Sequence, residues 1–73
     1  MNLNRLNLEA GQEVYLRECL AAGRRFFVTR KRSNGRCIQA SGETLEGVKR
    51  CHANWPNSSL IEITDGKIIW HKL

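Results

Sequence analysis

Apolar residues alternate with polar ones along two parts of this chain and recur every three or four residues along two others. Residues 59–73 show the first pattern most plainly. Leu60-Ile61-Glu62-Ile63-Thr64 and Lys67-Ile68-Ile69-Trp70-His71 flank Asp65-Gly66, the signature of a hairpin closed by a two-residue type I′ turn. That turn pairs Ile63 with Ile68 and Ile61 with Trp70. These four are expected on the buried face, with Leu60, Glu62, Ile69 and His71 on the other.

A second hairpin is predicted around Ser33-Asn34-Gly35, and two registers suit it. A two-residue Asn34-Gly35 turn pairs Lys31 with Ile38. A three-residue loop ending in a left-handed Gly35 pairs Val28 with Ala40 and Phe26 with Gly42. The longer loop is favoured, because it gathers Phe26, Val28, Ile38 and Ala40 on one face.

Helical spacing marks the other two segments. A first helix is expected over residues 8–21, with Asn7 as cap and Gly23 as terminator. Leu8, Tyr15, Cys19 and Ala22 fall near one face, with Leu16 and Leu20 beside them. Residues 13–19 also alternate as a strand would, so that alternative to the helix stays open there. A second helix is expected over residues 45–54, capped by Thr44 or Ser41, with Leu45, Val48, Cys51 and Trp55 as its apolar stripe. Pro56 disfavours a helical Trp55 and stops it. The order α-β-β-α-β-β implies an α+β fold: a four-stranded antiparallel sheet of two hairpins with the helices packed on one face. The chain is expected to be one domain over residues 1–73, with residues 1–6 a loose lead-in.

Charge changes the picture most. Arg24, Arg25, Arg30, Lys31, Arg32 and Arg36 make up half of the twelve basic residues, with no acid among them, in a chain of net charge +5. Outside that stretch the protein is slightly acidic. A concentrated positive field attracts polyanions or an acidic protein surface. Arginine also offers bidentate contacts to phosphate that lysine does not, and a two-stranded ribbon fits a major groove. A solvated edge strand guarded by cations is the plainer explanation of the same residues. Lys49 and Arg50 on the second helix extend the patch. With Phe26, Trp55 and Trp70 assigned to the core, only Phe27 and Tyr15 are left for base stacking, which argues against a stacking platform.

Other chemistries find little support. Cys19, Cys37 and Cys51 are an odd, widely spaced set, which suits small buried thiols in a reducing compartment. Cys51-His52 is adjacent rather than spaced as zinc ligands are, so no metal and no cofactor are expected. The longest apolar runs are too short to span a membrane. Met1-Asn2-Leu3-Asn4 lacks the basic start of a signal peptide, so a cytoplasmic location is expected. His71, near Lys67 and Lys72, is the one candidate for general acid–base work in a small nuclease or toxin.

From Phe26 to Leu73 the chain resembles the small phage and mobile-element proteins that include a basic type I anti-CRISPR family. The shared features are a short strand and turn, then Gly35-Arg36-Cys37-Ile38-Gln39-Ala40-Ser41, a helix carrying Val48-Lys49-Arg50, and a closing hairpin with Trp70. The resemblance implies a phage-encoded inhibitor that docks on a host crRNA-guided nucleoprotein complex and blocks target-DNA access. Lys49 and Arg50 match that family's helix position, and Arg30 and Lys31 its basic strand. A slighter likeness to the arm-type DNA-binding domains of phage integrases departs in having three strands before the helix and no closing hairpin. The expectation is a binding protein rather than an enzyme: first an inhibitor of a host nucleoprotein machine, second an autonomous DNA-binding module, third a small nuclease or toxin.

Overall fold

Three consecutive buried side chains, Phe27, Val28 and Thr29, decide the architecture. Neighbouring residues of a strand point to opposite faces, so a strand buried at each of them is covered on both sides. The computed structural model describes residues 3–72. After a single 3-10 turn at Asn4–Leu6 come α1 (Gln12–Ala21), β1 (Phe26–Arg32), β2 (Gly35–Gly42), α2 (Leu45–Asn54), β3 (Ser58–Thr64) and β4 (Lys67–His71). The strands form one antiparallel sheet in the order β2-β1-β3-β4. The α+β class, the element order and the four-stranded sheet are those the sequence predicts. Met1, Asn2 and Leu73, which the lead-in and the closing hairpin were expected to include, lie outside the described residues.

The helices do not share a face. Leu16 and Cys19 of α1 pack with Leu3, Leu6, Phe27, Ile61 and Ile63 on one side. Val48 of α2 packs with Val28 and Leu60 on the other, flanked by Phe26, Ala40, Leu45 and Cys51. The expected one-sided packing is thus corrected to a helix on each side. The reason is in the chain: Phe26-Phe27-Val28 and Leu60-Ile61 are unbroken apolar runs, and each needs cover on both faces. Leu60, assigned to the open face, is fully buried beneath α2.

Nor are residues 3–6 loose. Leu3 and Leu6 are only 4% and 1% exposed and complete the α1-side core. The next residues run along the free edge of β2. Arg36 N–H donates to Asn7 O at 2.8 Å, Glu9 N–H donates to Arg36 O at 2.9 Å, and Leu8 bridges Arg36 in parallel. Asn7 adopts a left-handed conformation that ends the 3-10 turn instead of capping a helix, and α1 starts at Gln12 after Gly11. With Leu8 outside the helix, the buried stripe shifts to Leu16 and Cys19, and Tyr15 is exposed.

Both hairpins hold the expected register at their bases. Asp65 and Gly66 take positive φ, and Ile63 pairs with Ile68 and Ile61 with Trp70. In the first hairpin Phe26 pairs with Gly42 and Val28 with Ala40. Its tip matches neither predicted turn: Arg32 pairs with Gly35 across a two-residue Ser33-Asn34 turn, one residue earlier than Asn34-Gly35 and one residue shorter than the three-residue loop. A bulge between Val28 and Thr29 absorbs the difference: Thr29 pairs with Ile38, which skips Gln39. That skip carries Ile38 onto the α1 side, away from Val28 and Ala40.

Candidate nucleic-acid interface

Side-chain alternation splits the basic hairpin in two. Lys31 and Arg36 are cross-strand partners on the α1 side, whereas Arg30 shares the α2 side with Val28. The Arg30 guanidinium lies 4.5 Å from the Trp55 ring centre at the end of α2. Arg32 pairs with Glu9 at 3.8 Å. Arg24 and Arg25 stand before β1, at the far end of the sheet from the turn, where they donate to the Ser41 and Thr64 hydroxyls, each at 3.1 Å. Lys49 pairs with Glu46 at 3.4 Å, and together with Arg50, His52, Ala53 and Pro56 it lines an open groove of about 570 Å³. The eight expected residues therefore do not make one patch.

What the fold gathers is a smaller set. Arg36, from one edge strand, reaches across the α1 face to within 5.1 Å of the ring centre of Trp70, from the other edge strand. Its Nη1 also donates to Thr29 Oγ1 at 3.0 Å, and that hydroxyl donates onward to Ser59 O at 3.4 Å. Thr29 is fully buried, so the guanidinium is held from below. Two grooves meet on this face. One, of about 460 Å³, is lined by Arg5, Gly66, Lys67, Ile68 and Trp70. The other, of about 160 Å³, is lined by Arg5, Leu6, Asn7, Lys31, Gly35 and Arg36. Arg5 stands between them, and among the described residues neither lining contains an acid.

The aromatic assignments change accordingly. Phe27 is fully buried and offers no stacking surface, while Trp70 and Trp55 are 46% and 41% exposed. Trp70 lies on the predicted face, but α1 and the N-terminal turn cover that face over Phe27, Ile61 and Ile63 and stop short of its end. Trp55 leaves the helical stripe because Pro56 disfavours a helical conformation there, and its φ of −126° and ψ of 86° lie outside the helix. Sequence reasoning missed Arg5 and Trp70 as site residues. The one signal for Arg5 was its place between Leu3 and Leu6, an apolar pair three residues apart and too short a pattern to declare a turn.

The histidines have structural partners. His71 Nε2 meets Glu62 Oε1 at 2.9 Å and ties β4 to β3. His52 Nδ1 lies 2.8 Å from Ser58 Oγ, a spacing that invites comparison with a nucleophile and its base. Ser58 has one proton, and its shortest contact is Trp55 O at 2.6 Å. With the proton donated there, Oγ accepts from His52, which leaves the imidazole no proton to remove. This arrangement pins the turn between α2 and β3. Cys19, Cys37 and Cys51 are free thiols, and among the described residues no three His, Cys, Asp or Glu side chains come together as metal ligands do. Among them, too, no helix is long and apolar enough to cross a membrane. Compared with family models, curated proteins and solved structures, the chain matches none.

Proposed function

We propose that this chain acts by binding nucleic acid, free or carried in a host nucleoprotein complex, and performs no chemistry of its own. The observation that carries this reading is Arg36, anchored on buried Thr29 and laid against an exposed tryptophan, with Arg5 and Lys31 around it. A guanidinium fixed beforehand loses less freedom when it meets a phosphate. The exposure of Trp70 answers the objection that only Phe27 and Tyr15 are left to stack. It lifts the autonomous nucleic-acid binder above the inhibitor reading, whose support is the resemblance of residues 26–73. An inhibitor would present the same cations along the path of its host's nucleic acid.

Titration of labelled oligonucleotides at increasing salt tests this. Affinity should fall by roughly 0.7 to 0.9 log unit per log unit of salt for each phosphate neutralised. Lys31→Gln with Arg36→Gln should weaken binding and flatten that slope by about 1.5 units, while Lys49→Gln, on the opposite face, should leave it as it was. If no nucleic acid binds even at low salt, the reading fails and an acidic protein surface becomes the partner to seek.

A further inference from the structure

We infer that the α1 face takes single-stranded nucleic acid, with one base stacked on Trp70 and the backbone running past Arg5, Arg36 and Lys31. This rests on the nucleic-acid reading above and specifies its ligand. A duplex presents phosphates and groove edges but hides its base faces, so it has nothing flat to offer a half-exposed indole. A single strand offers a ring at every nucleotide. The wall of the larger groove suits such a ring, since Ile68 and the side-chain-free Gly66 adjoin Trp70, and Arg5 supplies a cation beside them.

The dimensions agree. From β2 to β4 the face spans three strand spacings, roughly 14 Å, which accommodates about four nucleotides at the stacked rise of ~3.4 Å per strand. The shared Arg5 joins the two grooves into one path between those edges. The guanidinium of Arg36 serves both parts of the ligand, being close to the indole and carrying the charge a phosphate needs.

The full chain is titrated with a mixed-sequence single strand and with the matching duplex, by fluorescence anisotropy. The expected result is tighter binding of the single strand. Trp70→Ala should lower that affinity about ten- to a hundred-fold, Trp70→Phe should restore part of it, and Trp55→Ala, on the other face, should change it little. A Trp55→Phe protein retains Trp70 as its one indole, so quenching of its fluorescence by the single strand reports stacking directly. Melting curves check that each variant is folded. Binding of the duplex as tightly as the single strand, or a Trp70→Ala protein that binds like wild type, overturns this inference and leaves nucleic-acid binding standing. If wild type binds neither, both fall.

Discussion

At Gly35 the chain has no room for a side chain. Its φ of +129° suits glycine alone, and a methyl group there would stand 2.7 Å from Asn7 O and 3.1 Å from Glu9 N. Gly66 is also left-handed, at +72°, but nothing lies within 4 Å of it. Gly35→Ala should therefore cost about 3 kcal/mol, from strain together with loss of the strand-like contact of residues 7–9, whereas Gly66→Ala should cost about 1–2 kcal/mol from strain alone. Urea denaturation of the two variants measures the difference, and equal costs would mean that residues 7–9 do not press on Gly35. Trp70 requires a similar distinction between register and burial. Asp65-Gly66 fixes its partner Ile61 and its face, and both are legible in the sequence. How far α1 extends over that face is set by long-range packing, which no local pattern reports. Trp70→Ala is accordingly expected to cost about 1–2 kcal/mol rather than the 3–5 typical of a buried aromatic. Its main effect should be on binding.

The two helices differ in how they are secured. Thr44 caps α2 by accepting from Gly47 N–H at 3.1 Å. Removing it by Thr44→Ala should cost about 1 kcal/mol, read as a lowered melting temperature. Helix α1 has no side-chain cap, and its anchor is Gln12, whose Oε1 accepts from Ile38 N–H at 2.9 Å beside the β2 bulge. Gln12→Leu would leave that amide without its partner, at about 1–3 kcal/mol. It should also speed hydrogen exchange at Ile38; unchanged exchange would show the bond to be dispensable. These attachments explain why one helix was readable and the other only partly. Thr44 and the Leu45-Val48-Cys51 spacing are local signals, and α2 spans the predicted residues 45–54. The start of α1 depends on residues 7–9 pairing with Arg36, a contact between segments far apart in sequence. The bulge has the same character. A tight tip at Ser33-Asn34 and the base register of Val28 with Ala40 are compatible only if one residue is skipped, and the side of the sheet that Ile38 takes follows from that skip.

Across the whole molecule, the core and the candidate interface are built from the same N-terminal segment. Leu3 and Leu6 close the α1-side core, and Arg5 between them stands in both grooves. The expected lead-in is thus structural and charged at once. Its role was hidden because six residues carry too short a pattern to declare a face. By contrast, the unbroken apolar runs at Phe26-Phe27-Val28 and Leu60-Ile61 held the two-sided sheet in plain view, and only an assumption of one open face obscured it. Substitutions one residue apart separate the two roles. Leu6→Ala removes a buried side chain and should cost about 2–5 kcal/mol, a large share of the roughly 5 kcal/mol available to a domain this small. The protein should then melt far below wild type. Arg5→Gln changes only an exposed charge, so its melting temperature should match wild type while its affinity for a single strand falls and its salt dependence flattens by about 0.7 log unit. Circular dichroism melts beside anisotropy titrations read both quantities on the same samples. A stable Leu6→Ala protein would place the N-terminal turn outside the core. An Arg5→Gln protein that binds with undiminished affinity and slope would take Arg5 out of the interface and leave the two grooves unconnected by charge.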